Sequence, residues 1–222
     1  MADLKKTYGL LLETLIGIFT VDNGKIKILL MRKKTEPYKG YWVLPGNVVG
    51  DTTLEDNITD VVYDKLGIPS LYIEQCHTFS DMNRVLENRI VATTFIGLIN
   101  NITLKLKQEE RKDIELSWFD IDSIPKTAYD HDIIINKLLE HFKERIINSN
   151  ILKILFPSDF TLPELQRIYE QMLDIKLDRR NFRKKLLNLG YIVDTGDVNE
   201  GYTGRPAKLY RFKDDLEEKK LF

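Results

Sequence analysis

Cysteine is nearly absent from this chain, proline is sparse, and neither sign of charge is in excess. Among 222 residues there is a single cysteine, Cys76. No intrachain disulfide can form, a thiolate zinc site lacks its companions, and the compartment expected is the reducing cytoplasm. The three histidines, His77, His131 and His141, stand in no metal-ligand spacing and read as structural or surface groups; no cofactor is required. With 33 Lys+Arg against 34 Asp+Glu the net charge is −1, which excludes a strongly basic nucleic-acid wrapper and makes any basic surface local. Long apolar runs are missing too. The most apolar stretch, residues 10–21, is interrupted by Glu13 and too short to span a bilayer, and Met1-Ala-Asp-Leu-Lys-Lys has no signal-peptide layout, so no membrane partner is expected. What is present, 43% hydrophobic and 30% charged residues, suffices for a buried core in one large domain or two small ones.

The first half of the chain is mostly strand-like. Residues 14–21 and 25–32 are β-rich runs separated by Asp22-Asn-Gly24, a hairpin signature because Asn and Gly tolerate the positive φ of a tight turn. Residues 71–79, 89–99 and 115–119 read as three more strands, and residues 54–66 as the one helix among them. The loop 80–88, with Asp81, Asn83, Arg84, Glu87 and Asn88, reads as a solvated turn or as the lip of a ligand pocket. From Asp130 the pattern turns helical, with Ile133, Ile134, Leu138, Phe142 and Ile146 at three- and four-residue steps. The only polar interruption that follows is Asn148-Ser-Asn150, so the expected division is 1–148 and 149–222.

Trp42-Val-Leu-Pro-Gly46 through Gly67-Ile68 resembles the Nudix box, G-x(5)-E-x(7)-R-E-U-x-E-E-x-G-U with U aliphatic. Gly46, Val62 and Gly67-Ile68 occupy the frame positions at the correct spacing. The chemistry departs from it. Thr52 stands at the first glutamate, Asp60-Val61 at the Arg-Glu pair and Asp64-Lys65 at the Glu-Glu pair. The family's helix glutamates hold divalent cations against a diphosphate, and hard cations need carboxylate oxygens. With one acid left at those positions, no metal site, no catalytic residue and no metal-dependent hydrolysis are expected. A retained fold without its catalysts still suggests binding, with a nucleoside diphosphate derivative as the natural ligand. The candidates are Arg32, Tyr38, Trp42, Asn47, Phe79, Arg84 and Arg89: a guanidinium fork suits phosphate and an aromatic face suits a base. Each taken singly also reads as surface charge or core aromatic.

The second half carries a different pattern. Thr161-Leu-Pro-Glu164 is a capping box with proline in the first turn, and Leu162, Leu165, Ile168, Tyr169 and Met172 share one face of the helix it opens. Asp178 caps a second helix, 179–189, which Gly190 ends. On that helix Phe182, Leu186 and Leu189 lie on one arc and Arg180, Arg183 and Lys184 on the opposite side. Residues 151–211 carry eleven Lys and Arg against eight Asp and Glu, with five of the bases inside 179–185. Tyr191-Ile-Val193, a glycine-bearing loop 194–204 and Arg205 to Phe212 then read as strand, loop, strand: a wing. Two short capped helices and a wing form a winged helix-turn-helix. Recognition helices enter the major groove, where Arg and Asn read base edges. Arg180, Asn181, Arg183 and Lys184 are therefore the expected base contacts, and Arg179, Arg205 and Lys208 the residues positioning the duplex.

Together, the altered Nudix box, Phe160-Thr-Leu-x-Glu-Leu-Gln, Asp178-Arg-Arg-Asn-Phe-Arg-Lys-Lys-Leu and Gly204-Arg-Pro-Ala-x-Leu-Tyr resemble the Nudix-related transcriptional regulator (NrtR) family across nearly the whole chain. The resemblance implies an α+β protein: a Nudix-like α/β/α sandwich with a mixed sheet, followed by a winged helix-turn-helix domain. It further implies a homodimeric repressor on double-stranded, palindromic operator DNA, usually of genes for NAD metabolism, released by ADP-ribose or a related nucleotide; some relatives answer to sugars and control carbohydrate genes. Two other readings compete: a Nudix hydrolase of ADP-ribose or another nucleoside diphosphate derivative, and an interaction scaffold, which leaves the basic helix and wing unexplained.

Overall fold

The computed structural model describes residues 9–85, 88–100, 114–156, 158–199, 206–213, 215 and 219. They fall into two compact units: residues 1–19, 28–98 and 104–138, and residues 20–27, 99–103 and 139–222. One long helix has its first eight residues in the former and the rest in the latter.

The first unit is organised by β1 (Leu11–Asp22). Residues 14–20 of this strand are buried without alternation, as expected of a central strand covered on both faces. Asn23 and Gly24, both with positive φ, make the two-residue turn into β2 (Lys25–Arg32), the mirror-image turn that the strands' twist favours. The sheet order is β3-β2-β1-β6-β5, with β4 added to β1 and β7 to β2. Here β3 is Trp42–Val43, β4 Gly46–Val48, β5 Tyr72–Phe79, β6 Ile90–Leu98 and β7 Leu116–Asp120. The sheet is mixed: β6 runs parallel to β1, whereas β4 and β5 pair antiparallel with β1 and β6. The sequence pattern does not announce β3 and β4, because two or three residues are too few to show a period.

Helices cover both faces. Thr14 Oγ1 donates to Asn57 Oδ1 of α1 (Leu54–Asp60) at 2.6 Å. A Cβ at Gly17 would collide with Leu138 of α2 (His131–Asn148). Positions 14 and 17 point to opposite sides of a strand, so α1 and α2 lie on opposite faces. Thr53 caps α1 by accepting the Asp56 N–H, and a π-helical turn, Val61–Lys65, continues it to Gly67, whose φ of +70° suits glycine.

In the second unit, α3 (Leu162–Leu173) starts at the expected capping box, with Glu164 accepting from the Thr161 backbone at 2.7 Å. Asp178 accepts the Asn181 N–H to cap α4 (Arg179–Leu189), which Gly190 ends at φ +73°. Leu165, Ile168, Tyr169, Phe182 and Leu186 are buried between these helices and a three-stranded sheet ordered β8-β10-β9. Its strands are β8 (Phe160–Thr161), β9 (Ile192–Asn199) and β10 (Ala207–Phe212). The strand expected to stop at Val193 continues to Asn199. The ladder with β10 simply resumes beyond a bulge, where Tyr210 pairs with Asp194 and Lys208 with Val198. Among the described residues no helix is long and apolar enough to cross a membrane.

Candidate functional site

In the first unit, the end of β2, the start of β4, the end of the π-helical turn and the loop ahead of α2 surround a cavity of about 460 Å³, a size that suits a small-molecule ligand. Its charge is one-sided. Arg32, Lys33, Lys34 and Lys65 line it, against one carboxylate, Glu13, among the described residues. Arg84 offsets even that acid: its Nη1 donates to Glu13 at 2.8 Å, while Nε and Nη2 donate to the two oxygens of Asp130 at 2.9 and 3.1 Å. The Arg84 side chain is 2% exposed. Burial works against its charge, but the hydrogen bonds to Asp130 and Glu13 outweigh burial and hold the guanidinium above its ordinary range. For Glu13 burial wins, and its carboxyl is held above the usual carboxylate value despite Arg84.

His131, the first residue of α2, also lines the cavity. Its Nδ1 accepts the Leu44 N–H at 2.8 Å, so the neutral ring carries its proton on Nε2. Burial, assisted by the charge of Arg84, pushes the imidazole down to about 3.

The box itself folds as a loop, a helix and a loop. A Cβ at Gly46 would strike the Thr14 carbonyl oxygen and the Leu15 side chain, so glycine is what lets β4 sit against β1. Lys65 reaches back across the box and donates from Nζ to Gly46 O at 2.7 Å, and burial lowers its pKa. The residues present do not fit the divalent cations of the Nudix fold. Val61 is buried hydrocarbon, Thr52 and Asp64 are exposed, and the fourth position holds an ammonium. No three His, Cys, Asp or Glu among the described residues gather where they could hold a metal.

The second unit presents a different surface. On α4, Phe182 and Leu186 face the core, whereas Arg179, Arg180, Asn181, Arg183, Lys184 and Lys185 are all exposed. Arg183 lies over the Tyr210 ring, 6.0 Å from its centroid. Across the wing, Lys208 Nζ donates to Asp194 Oδ2 at 2.8 Å; that bond lowers the Asp194 pKa and raises that of Lys208.

A family model described as the NrtR DNA-binding winged helix domain matches residues 154–212. The chain is similar to the ADPR responsive transcriptional repressor NtrR of Acinetobacter baylyi, 32% identical over 204 residues, covering 89% of this chain and 80% of that protein. The chain belongs to the NrtR family. It is a DNA-binding transcriptional regulator with a degenerate Nudix domain. The fold is similar to that of Shewanella oneidensis NrtR crystallised with a 27mer DNA, with a TM-score of 0.77 and 26% identity over 91% of this chain and 93% of that one. The chain is also 28% identical over 134 residues to an ADP-ribose pyrophosphatase of Methanocaldococcus jannaschii, covering 60% of this chain and 77% of the enzyme.

In this NrtR-family chain the seven ligand candidates separate. Arg32 and Asn47 line the cavity, Arg32 also pairing with Glu115 at 3.1 Å. Arg84 is committed to Glu13 and Asp130. Arg89 donates to the carbonyls of Asp81 and Ser80 at 2.7 and 2.8 Å and so ties the β5–β6 loop to itself. Trp42 packs edge-on against Phe119, and Phe79 against His77. Tyr38, with φ +66°, meets Tyr129 at 4.9 Å, and it is Tyr129 that reaches the cavity. Of the DNA candidates, Arg179, Arg180, Asn181, Arg183 and Lys184 share α4, Lys208 is on β10, and Arg205 lies outside the described residues. Sequence reasoning passed over Tyr129 and Asp130, and found no site role for Glu13 or His131. A polar pair, Asp130-His131, at the start of an amphipathic helix was the one available signal.

Proposed function

We propose that this chain is a homodimeric repressor that binds a palindromic operator through α4 and the wing and leaves it when ADP-ribose or a related nucleotide enters the cavity of the first unit. Arg180, Asn181, Arg183 and Lys184 read base edges; Arg179, Arg205 and Lys208 position the duplex. Arg32 and Asn47 meet the ligand, with Arg84 and Arg89 shaping the walls. The reading takes 1–148 as the ligand-binding part and 149–222 as the DNA-binding part, and includes a cytoplasmic location and control of NAD metabolism. The observation that carries the reading is the joining, in one chain, of a basic winged helix to a Nudix frame whose cavity has mostly cations among its charged lining residues, one of them, Lys65, where the box has an acid. An effector can act only through its differential affinity for DNA-bound and free protein, so operator DNA must weaken effector binding by the same factor.

The test is fluorescence anisotropy of a labelled duplex from the gene's own upstream region at fixed salt, with and without ADP-ribose. Tight, sequence-dependent binding weakened by ADP-ribose is expected. Binding indifferent to ADP-ribose moves the effector to sugars or other nucleotides, and weak, sequence-independent binding defeats the operator reading. The likeness to an ADP-ribose pyrophosphatase favours a second reading, hydrolysis. Lys65 and Val61 at metal positions oppose it, and release of AMP from ADP-ribose with Mg²⁺ or Mn²⁺ would reinstate it.

A further inference from the structure

We infer that the Lys65 ammonium replaces the divalent cation of the Nudix frame as the counter-charge to the effector's diphosphate, so that binding requires no metal. The inference rests on the reading of the cavity as an effector site and adds which atom recognises the ligand. Three observations converge on Lys65. It occupies a metal-ligand position of the box, where the neighbouring positions supply buried hydrocarbon and exposed groups. It lines the cavity beside Asn47, and its bond to Gly46 O aims Nζ from a fixed point of β4. The rest of the lining adds positive charge through Arg32, Lys33 and Lys34, while Glu13 is tied to Arg84.

The chemistry is coherent. The Nudix frame holds its divalent ion against the diphosphate with carboxylates, and a cavity rich in ammonium and guanidinium groups in their place repels such an ion. An ammonium held by the chain has three N–H donors and does the same without a bridging ion. A partly desolvated ammonium attracts an anion more strongly than one in bulk water. The lowered pKa of Lys65 reports that desolvation.

Calorimetric titration of the full chain with ADP-ribose, inorganic pyrophosphate and adenosine, in EDTA and in Mg²⁺, tests this. Expected are affinities for ADP-ribose that agree within about twofold in the two buffers, binding of pyrophosphate in EDTA, where no Mg²⁺ competes for it, and a loss of tenfold or more for both ligands in Lys65→Met with adenosine unaffected. Lys65→Arg should retain most of the affinity. A requirement for Mg²⁺, or equal pyrophosphate binding by Lys65→Met, overturns the inference; the first criterion uses the parent chain and does not depend on how the variant folds. If pyrophosphate binds in EDTA through Lys65 while ADP-ribose does not bind, the lysine assignment stands and the effector's identity falls. If neither binds, both fall.

Discussion

The two units use charge in opposite ways. In the first, Arg84, Glu13, Asp130, His131 and Lys65 are wholly or partly withdrawn from water, and each has a named protein partner. In the second, Arg179, Arg180, Arg183 and Lys184 stand exposed on one face of a short helix whose other face is core. Inside, a charge is part of the fold, is weakly screened by salt and responds to pH through burial. Outside, a charge is dispensable to the fold and serves what arrives from solution. The same residue type therefore has different consequences: removing Arg84 damages the protein, and removing Arg180 damages only binding.

The largest effect should come from Arg84→Met. It leaves Glu13 and Asp130 facing each other with no cation between them, and breaking a buried ion pair from one side costs about 3–5 kcal/mol. Urea unfolding should show the loss directly, whereas Arg180→Ala should shift stability by no more than about 0.5 kcal/mol. Similar losses in the two variants would end the distinction between inward and outward charge.

A second expected effect is acid sensitivity. His131 is held down to about 3 in the fold against an ordinary value of 6.5, so between those values the unfolded chain binds the extra proton and stability falls as pH drops. From pH 7.5 to 5 this amounts to about 2 kcal/mol. Glu13, held above its ordinary value, takes up its proton more readily in the fold and acts in the opposite sense, so the His131 contribution is read as the difference between the parent and a His131 variant. His131→Gln, which keeps an acceptor for the Leu44 N–H, should flatten the stability profile across that window. A parent profile parallel to that of the variant across the window would show that the ring is not buried neutral.

Third is Arg183→Ala, for which anisotropy should give operator affinity reduced by about tenfold, with the loss concentrated at one base-pair position rather than spread over all sequences. Thermal unfolding should shift only slightly, by the loss of the contact with the Tyr210 ring, the mirror image of Arg84→Met.

The contrast also explains what could be read before the structure. Local chemistry was legible: Asn23-Gly24 turns the hairpin, Thr161 and Glu164 form the capping box, Asp178 caps α4 and Gly190 ends it, because each acts within a few residues of itself. The outward charges of α4 were legible for the same reason, since helical period alone separates them from Phe182 and Leu186. The inward charges were not. Arg84 finds Glu13 and Asp130 at separations of 71 and 46 residues, and His131 finds Leu44 at 87. Lys65 was visible as a departure from the Nudix pattern, but its bond to Gly46, 19 residues away, follows from how the box closes. The extent of β9 was obscured because Asp194, Thr195, Gly196 and Asp197 have turn chemistry, and the strand accommodates them in a bulge.

Lys208 lies between these categories and supplies the smallest expected effect. It is exposed, as α4's bases are, yet it is hydrogen-bonded across the wing to Asp194. Reaching a phosphate would mean leaving or sharing that carboxylate, so the contact it adds is partly offset. Lys208→Ala should weaken operator binding by less than about threefold, uniformly across sequences, and lower the slope of log affinity against log salt by less than one. Asp194→Asn should do the reverse: freeing the ammonium and deleting a negative charge near the duplex strengthens binding and steepens the slope. If both substitutions leave the slope untouched, Lys208 is a strut for β9 and β10 and takes no part in the DNA surface of the second unit.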